Sequence, residues 1–316
     1  MTSTVKPNAK AYRPPAPLGG RTPIRTARQS AGIAIPFLLP ALIVLAAFVA
    51  WPMISALRLS FTDSSGFGAE QWIGFDNYIR IFTDPQILGT LSTTALYAVL
   101  FTPIALIGAL ALALLLNNAR LPGRGIFRTA LFLPFIVSLA VAAFAWSYLL
   151  DPQVGLLNYW LRTVGIHIGN VLQDPVLAMP TVVLVAVWKS FGFYMVIFIA
   201  GLQDIPVSLY EAARIDGAGA WARFRNVTLP QLSNTLAFVV IFAMIAALQA
   251  FDQIYVLTGG GPYRTTQTVV MEIYQEGFKK LNLGLASALS YVLLLATLIL
   301  SIVQFRFFGR REKDLT

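Results

Sequence analysis

The sequence predicts an all-α integral membrane fold: six transmembrane helices, with a cytoplasmic helical elbow between the fourth and fifth. Three observations predict it. The chain has 316 residues, of which 57% are hydrophobic and 12% charged. A soluble domain carries about 25% charged residues, so too little polar surface remains here to face water on every side. Six apolar runs reach the length of about 20 residues that a helix needs to cross the hydrocarbon core. Lys and Arg gather at alternate ends of those runs, the pattern that sets topology.

The six runs span residues 32–57, 90–116, 126–150, 176–202, 232–257 and 284–308. Pro36, Pro40, Pro52, Pro103, Pro134 and Pro180 lie in or near them. Proline is tolerated in membrane helices because neighbours satisfy the freed carbonyls. Lys6, Lys10, Arg13, Arg21, Arg25 and Arg28 precede the first run. Arg120, Arg124 and Arg128 fall in the second connection, and Arg214, Arg223 and Arg225 in the fourth. Arg306, Arg310, Arg311 and Lys313 end the chain. The other side holds fewer, Arg80, Arg162, Arg264, Lys279 and Lys280 among them, together with most of the acids, Glu272 and Glu276 included. Both termini are therefore expected in the cytoplasm.

Residues 1–31 are basic, Pro-rich and poor in apolar side chains, a composition expected to be disordered and to rest against acidic headgroups. The apolar run that follows is too long for the core of a cleaved signal peptide. With no cysteine and a single histidine, His167, disulfides, thiolate metal sites and a His-rich metal centre are excluded. The net charge of +9 resides at span ends, so no nucleic-acid partner is implied.

The fourth connection, residues 204–230, carries the most information. Ser208 and Glu211 have the spacing of a capping box. A short helix is expected from there to Asp216, ended by Gly217 in the left-handed conformation. A second short helix, from about Ala220 to Thr228, leads to Pro230, which opens the fifth span. Leu209, Ala212, Ala213 and Asp216 share a face at helical spacing, and two alanines on it let another backbone come close.

Glu211-Ala212-Ala213, a spaced Gly217, and Val227-Thr228-Leu229-Pro230 resemble the EAA loop of ABC-importer permeases. Asp216-Gly217-Ala218 and Phe224 are similar to the carbohydrate-uptake branch, the maltose-type and glycerol-3-phosphate-type permeases. Leu257-Thr258-Gly259-Gly260-Gly261-Pro262, Phe75-Asp76-Asn77-Tyr78 and Phe132-Leu133-Pro134 resemble further segments of that branch. Val227 replaces a customary isoleucine, and Asn234 stands where a second proline is common. The resemblance implies a permease domain over residues 32–316 whose elbow is a coupling helix seated on an ATPase. Glu211, Ala212, Ala213, Asp216, Gly217, Leu229 and Pro230 would form its contacts; Glu211 could instead only cap its own helix. It also implies two ATPase copies, a second homologous permease and an extracytoplasmic solute-binding protein. No Gly-x-x-x-x-Gly-Lys-Ser/Thr run occurs, so ATP and Mg belong to the ATPase. The chain is expected to be a non-catalytic subunit that binds no cofactor. The Gly-rich stretch Thr258–Pro262 reads as a tight turn after the fifth span.

Ionisable groups inside spans mark functional positions by default. Lys189 and Asp252 are the two here, with Trp188 and Ser190 beside the first and Gln249 and Gln253 on the same helical face as the second. Two readings stand at this point: a polar solute pathway lined by these groups, or a Lys189–Asp252 pair that only holds the bundle. Trp72, Tyr78, Tyr159 and Trp160 are interfacial aromatics. A secondary, ion-coupled transporter is the alternative of a different class. It would show more acids within spans and often an internal repeat.

Overall fold

The computed structural model describes residues 27–66, 68–118 and 121–313. Most of the predicted tail, and Arg120, lie outside the described residues. The chain is already helical at Ala27, before the predicted end of the tail. Apart from an isolated bridge between Thr62 and Trp72, every regular element among the described residues is helical.

The chain divides into two compact units at Ile54 and Ser55. The first contains α1 (Ala27–Leu45), a π-turn (Ala46–Ala50) and the start of α2 (Trp51–Leu59). The second holds the rest: α3 (Asp76–Thr83), α4 (Pro85–Leu116), α5 (Arg124–Ile136), α6 (Leu139–Leu149), α7 (Leu156–Thr163) and α8 (Ala178–Gln203). After these come α9 (Val207–Ile215), α10 (Ala220–Arg223), α11 (Leu229–Gln231), α12 (Ser233–Leu248), α13 (Asp252–Leu257), α14 (Val269–Tyr274) and α15 (Leu283–Lys313).

Four helices are each long and apolar enough to cross a bilayer: Pro36–Leu59, Pro85–Leu116, Ala178–Gln203 and Leu283–Phe308. Two bent pairs reach that standard jointly. Arg124–Ile136 and Leu139–Leu149 meet at 98°, and Ala220–Gln231 and Ser233–Leu248 at 70°. The predicted third span is thus not one straight helix. Val137 and Ser138 are extended, with ψ of 141° and 138°, which ends α5 and redirects the chain. The predicted fifth span is bent at Leu232 and broken again at Gln249–Phe251, where helical geometry lapses between α12 and α13.

α4 and α8 form the centre of the second unit. On α4 the buried residues Tyr97, Phe101, Ala105, Ala109 and Ala113 recur every four positions, one ridge along the helix. Met179, Val182, Ala186, Met195 and Phe198 of α8 join the same core. α4 starts earlier than predicted because Asp84 caps it, accepting from the Gln86 N–H at 2.8 Å, with Pro85 in the first turn. α5 approaches α8 closely at Gly192, where a Cβ would collide with the Leu131 carbonyl. α12 presents Val239, Ala243 and Ala247 to the core. A second cluster joins Ile81, Ile87, Leu285, Ala288 and Leu289, from α3, α4 and α15.

Candidate functional site

The break between α12 and α13 opens a cavity of about 190 Å³. Gln249, Asp252, Gln253 and Ser190 line it, with Tyr97 and Phe251 among the others. Gln249 therefore joins Asp252 and Gln253 at the cavity without sharing their helix, since it ends α12 and they begin α13. Gln253 is 3% exposed. Its Nε2 donates to the Tyr97 hydroxyl at 2.8 Å, which leaves that hydroxyl its own proton to donate. The Gln253 Oε1 is buried without a hydrogen-bond partner. Among the described residues no lysine or arginine lines the cavity. Its polar groups can accept from hydroxyls through Asp252 and Gln253 and donate through Tyr97. Tyr97 and Phe251 escaped the sequence reading. A lone phenol within the apolar run of α4 was the available signal for the first, whereas Phe251 looks like any span residue.

Lys189 and Asp252 interact electrostatically but are not within ion-pair distance of each other. Its Nζ donates to the Phe135 carbonyl at 3.2 Å and lies 4.9 Å from the centre of the Phe135 ring. α5 ends at Ile136, so the Phe135 carbonyl is one of the four that a helix C-terminus leaves without an internal partner. The lysine caps that end, where a cation is favoured. Trp188 packs edge-to-face on Trp146, with ring centres 5.4 Å apart, and does not line the cavity. Of the predicted pathway residues, Ser190, Gln249, Asp252 and Gln253 come together; Trp188 and Lys189 join α8 to its neighbours.

Glu272 and Glu276, expected among the acids of the outer connections, are 2% and 3% exposed. Each sits in a buried polar network because α14 and the π-turn after it pack against α15. Glu272 accepts from Arg264 and from Gln267. Gln267 also donates to Gln275 at 2.8 Å. Glu276 accepts from Lys280 and from Asn282. Burial pushes the Glu272 carboxyl above the usual carboxylate range and Glu276 adds to this, against the pull of Arg264 and Lys280. Thr268 caps α14 and donates to the Ala250 carbonyl at 3.0 Å, while the Val269 N–H donates to Thr94 at 2.9 Å. These bonds pin α14 to α4 and to the break that opens the cavity.

In the fourth connection the capping box does not form. Pro206 is the N-cap of α9 and no side chain caps the helix. Proline presets the entry backbone, the helix starts at Val207, and Ser208 falls inside its first turn. The C-terminal end is as expected: Gly217 has φ +77°. The Gly217 N–H donates to the Arg214 carbonyl at 3.0 Å and the Ala218 N–H to that of Ala213 at 2.9 Å, the paired bonds of a Schellman motif. Tyr210 turns inward and bonds Thr228 through the two hydroxyls, at 3.0 Å, which ties α9 to the segment before α12. Ala213 is half-buried, whereas Glu211, Ala212 and Asp216 are exposed. Val207, Ile215 and Trp221 are also exposed, Ile215 at 86%. None of the four ion pairs among the described residues involves Glu211. Pro230 lies in the first turn of α11 with Leu229 before it.

Comparison with known proteins places this architecture. The sn-glycerol-3-phosphate transport system permease protein UgpA of Yersinia pestis is 39% identical over 283 residues, covering 88% of this chain and 95% of that one. The probable ABC transporter permease protein YurN of Bacillus subtilis is 36% identical over 282 residues, covering 88% and 96%. A chain of a bacterial alginate ABC transporter, solved in complex with its alginate pentasaccharide-bound periplasmic protein, shares the fold. Its TM-score is 0.80 at 24% identity, over 89% of this chain and 96% of that one. The family described as the binding-protein-dependent transport system inner membrane component matches residues 86–313, and the chain belongs to that family.

Proposed function

We propose that this chain is one of two permease subunits of an ATP-driven importer, with six spans, both termini in the cytoplasm, and residues 32–316 as its permease domain. It forms half of the pathway for a sugar or sugar-like solute that an external binding protein delivers. A separate ATPase, present in two copies, supplies the energy; this subunit is non-catalytic and holds no cofactor. The elbow is the single observation that carries the reading. It presents an exposed face of Glu211, Ala212 and Asp216, with exposed Ile215 and Trp221 beside it, on a helix closed at its C-terminal end by the Gly217 turn. Unpaired Glu211 and exposed apolar side chains at one point on a chain with no ATP site suit a docking partner.

The cavity bears on the cargo. UgpA is named for a phosphate ester and the alginate transporter for an acidic polysaccharide, both anions. Among the described residues the charge lining the cavity is the Asp252 carboxylate, which disfavours an anion there even with Lys189 in electrostatic range of it. Tyr97, Gln253 and Gln249 can exchange hydrogen bonds with hydroxyls, so the reading favours an uncharged, hydroxyl-rich solute.

Glu211→Ala tests the coupling. Truncating a charge at a partner interface costs about 2–5 kcal/mol, and Glu211 caps nothing that its loss would unfold. The variant should fold, and lose the co-purifying ATPase and ATP-driven uptake. If assembly and uptake both survive, the elbow is not the coupling device.

A further inference from the structure

A second hollow, of about 370 Å³, lies at the far end of the same helix pair. The inner cavity touches Leu139 at the start of α6 and Asp252 at the start of α13. The second hollow touches Ser147 and Tyr148 near the end of α6 and Leu257 at the end of α13. α6 and α13 pack against each other, so both run from one hollow to the other. At 1.5 Å per residue the two are separated by about 8 Å along α13 and about 13 Å along α6.

The second hollow is lined by several polar side chains. Asp151, Asn170, Gln173 and Ser147 contribute a carboxylate, two amides and a hydroxyl, and Tyr148 a ring and a phenol. No cation lines it. Asp151 Oδ1 accepts from the N–H groups of Gln153 and Val154, at 2.8 and 2.9 Å, which leaves Oδ2 able to accept from a ligand. The wall is fixed. Asn158, 2% exposed, donates to the carbonyls of Leu150 and Asp151 at 3.4 and 3.1 Å. Arg162 donates to the Pro152 carbonyl at 2.8 Å. At Gly155 a Cβ would collide with the Asp151 carbonyl, so the turn is closed by backbone alone. A preformed hollow with converging acceptors and donors and an aromatic wall is the form that ligand sites take.

The geometry points to an outer subsite, formed by Ser147, Tyr148, Asp151, Asn170 and Gln173, for an uncharged, hydroxyl-rich solute on its way along α6 and α13 to the inner cavity. The inference rests on the function proposed above. It adds that the solute is held twice, and that the outer hold also favours hydroxyls over anions.

The chain has no cysteine, so a single introduced cysteine is unique within this subunit and its label is read on this subunit's own band. Gln173→Cys probes the outer hollow and Ser190→Cys the inner cavity, each in the assembled importer, labelled from outside with a membrane-impermeant thiosulfonate. Maltose, trehalose, cellobiose and raffinose serve as neutral probes and sn-glycerol 3-phosphate as the anionic one. A neutral probe that is taken up, present at about ten times its half-saturating concentration, should slow labelling at both positions about tenfold. Protection of Ser190→Cys alone overturns the outer subsite and leaves the proposed function standing. Protection of Gln173→Cys alone supports the outer subsite and removes the inner cavity from the pathway. Protection only by sn-glycerol 3-phosphate, or by no probe at either position, overturns the proposed cargo and the outer subsite with it. Asn170→Cys repeats the outer measurement should Gln173→Cys fail to assemble.

Discussion

At position 189 the ammonium rests on a helix end. A lysine inside an apolar span reads from sequence as a functional group, and its true partner, the Phe135 carbonyl, becomes visible only once α5 is known to stop at Ile136. That stop is backbone geometry at Val137, which hydropathy does not record. A hydrogen bond to a charged group contributes about 1.5–3 kcal/mol. Lys189→Met should therefore lower the melting temperature of the purified complex and leave the half-saturating concentration for uptake unchanged, with Lys189→Arg retaining most of the stability. A shifted half-saturating concentration with unchanged melting would return Lys189 to the pathway. Glu272 gives a pH-dependent counterpart. Its carboxyl is held above the usual carboxylate range, chiefly by burial, so the folded state binds this proton more tightly than the unfolded chain. The stabilising contribution is fully present below the ordinary glutamate value of about 4.3 and is lost as pH rises through the raised folded value. Glu272→Gln cannot titrate. Thermal melts across that window should show the wild-type protein losing stability relative to the variant as pH rises; parallel profiles would refute it.

Among the elements, those spans that are single straight helices were legible in sequence, because window hydropathy suits an unbroken rod: α4, α8 and the apolar part of α15 lie close to their predicted bounds. The broken ones were not. Val137-Ser138 and Ala250-Phe251 interrupt helices without interrupting apolar composition, so a length-and-hydropathy reading passes over both. The candidate cavity exists because of the second break, which is why Gln249, Asp252 and Gln253 could be named while their arrangement could not. In the elbow the glycine end was readable, since φ of +77° at Gly217 is a conformation that glycine adopts freely. The start was misread because Ser208 and Glu211 satisfy the spacing of a capping box while Pro206 claims the cap. The close approach of α5 to α8 is also glycine-dependent. Gly192→Ala drives a methyl into the Leu131 backbone carbonyl, whereas Gly108→Ala meets nothing within 4 Å. Backbone cannot move aside as a side chain can, so the first should cost about 3 kcal/mol or more. It should reduce the monodisperse yield in detergent sharply, while the second leaves yield and melting unchanged. Equal yields would mean that α5 and α8 do not meet at Gly192.

For the molecule as a transducer, α12 is the element that links the two candidate sites. It begins at the bend at Leu232, beside the elbow, and ends at Gln249, on the cavity wall, so its 16 residues span about 24 Å. Its buried edge, Val239, Ala243 and Ala247, is small or branched and lies in the core with α4, a surface along which a rod can shift as one body. If ATPase motion at the elbow reaches the cavity this way, transmission depends on the stiffness of α12 more than on any side chain it exposes. Phe238 and Phe242, 55% and 44% exposed with rings stacked at 6.1 Å, allow the two contributions to be separated. Replacing both by alanine removes the rings and keeps a strong helix former, whereas replacing both by glycine costs about 1 kcal/mol of helix propensity at each position relative to alanine. The alanine pair should retain both binding-protein-stimulated ATP hydrolysis and uptake in proteoliposomes. The importer assembled with the glycine pair should still hydrolyse ATP on its ATPase, because the elbow is untouched, and should lose most of its uptake, because a softened rod yields instead of moving the cavity wall. Equal uptake by the two pairs would show that the stroke reaches the cavity by another route, and α8, which runs from the elbow side at Gln203 to the cavity at Ser190, would be the element to soften next.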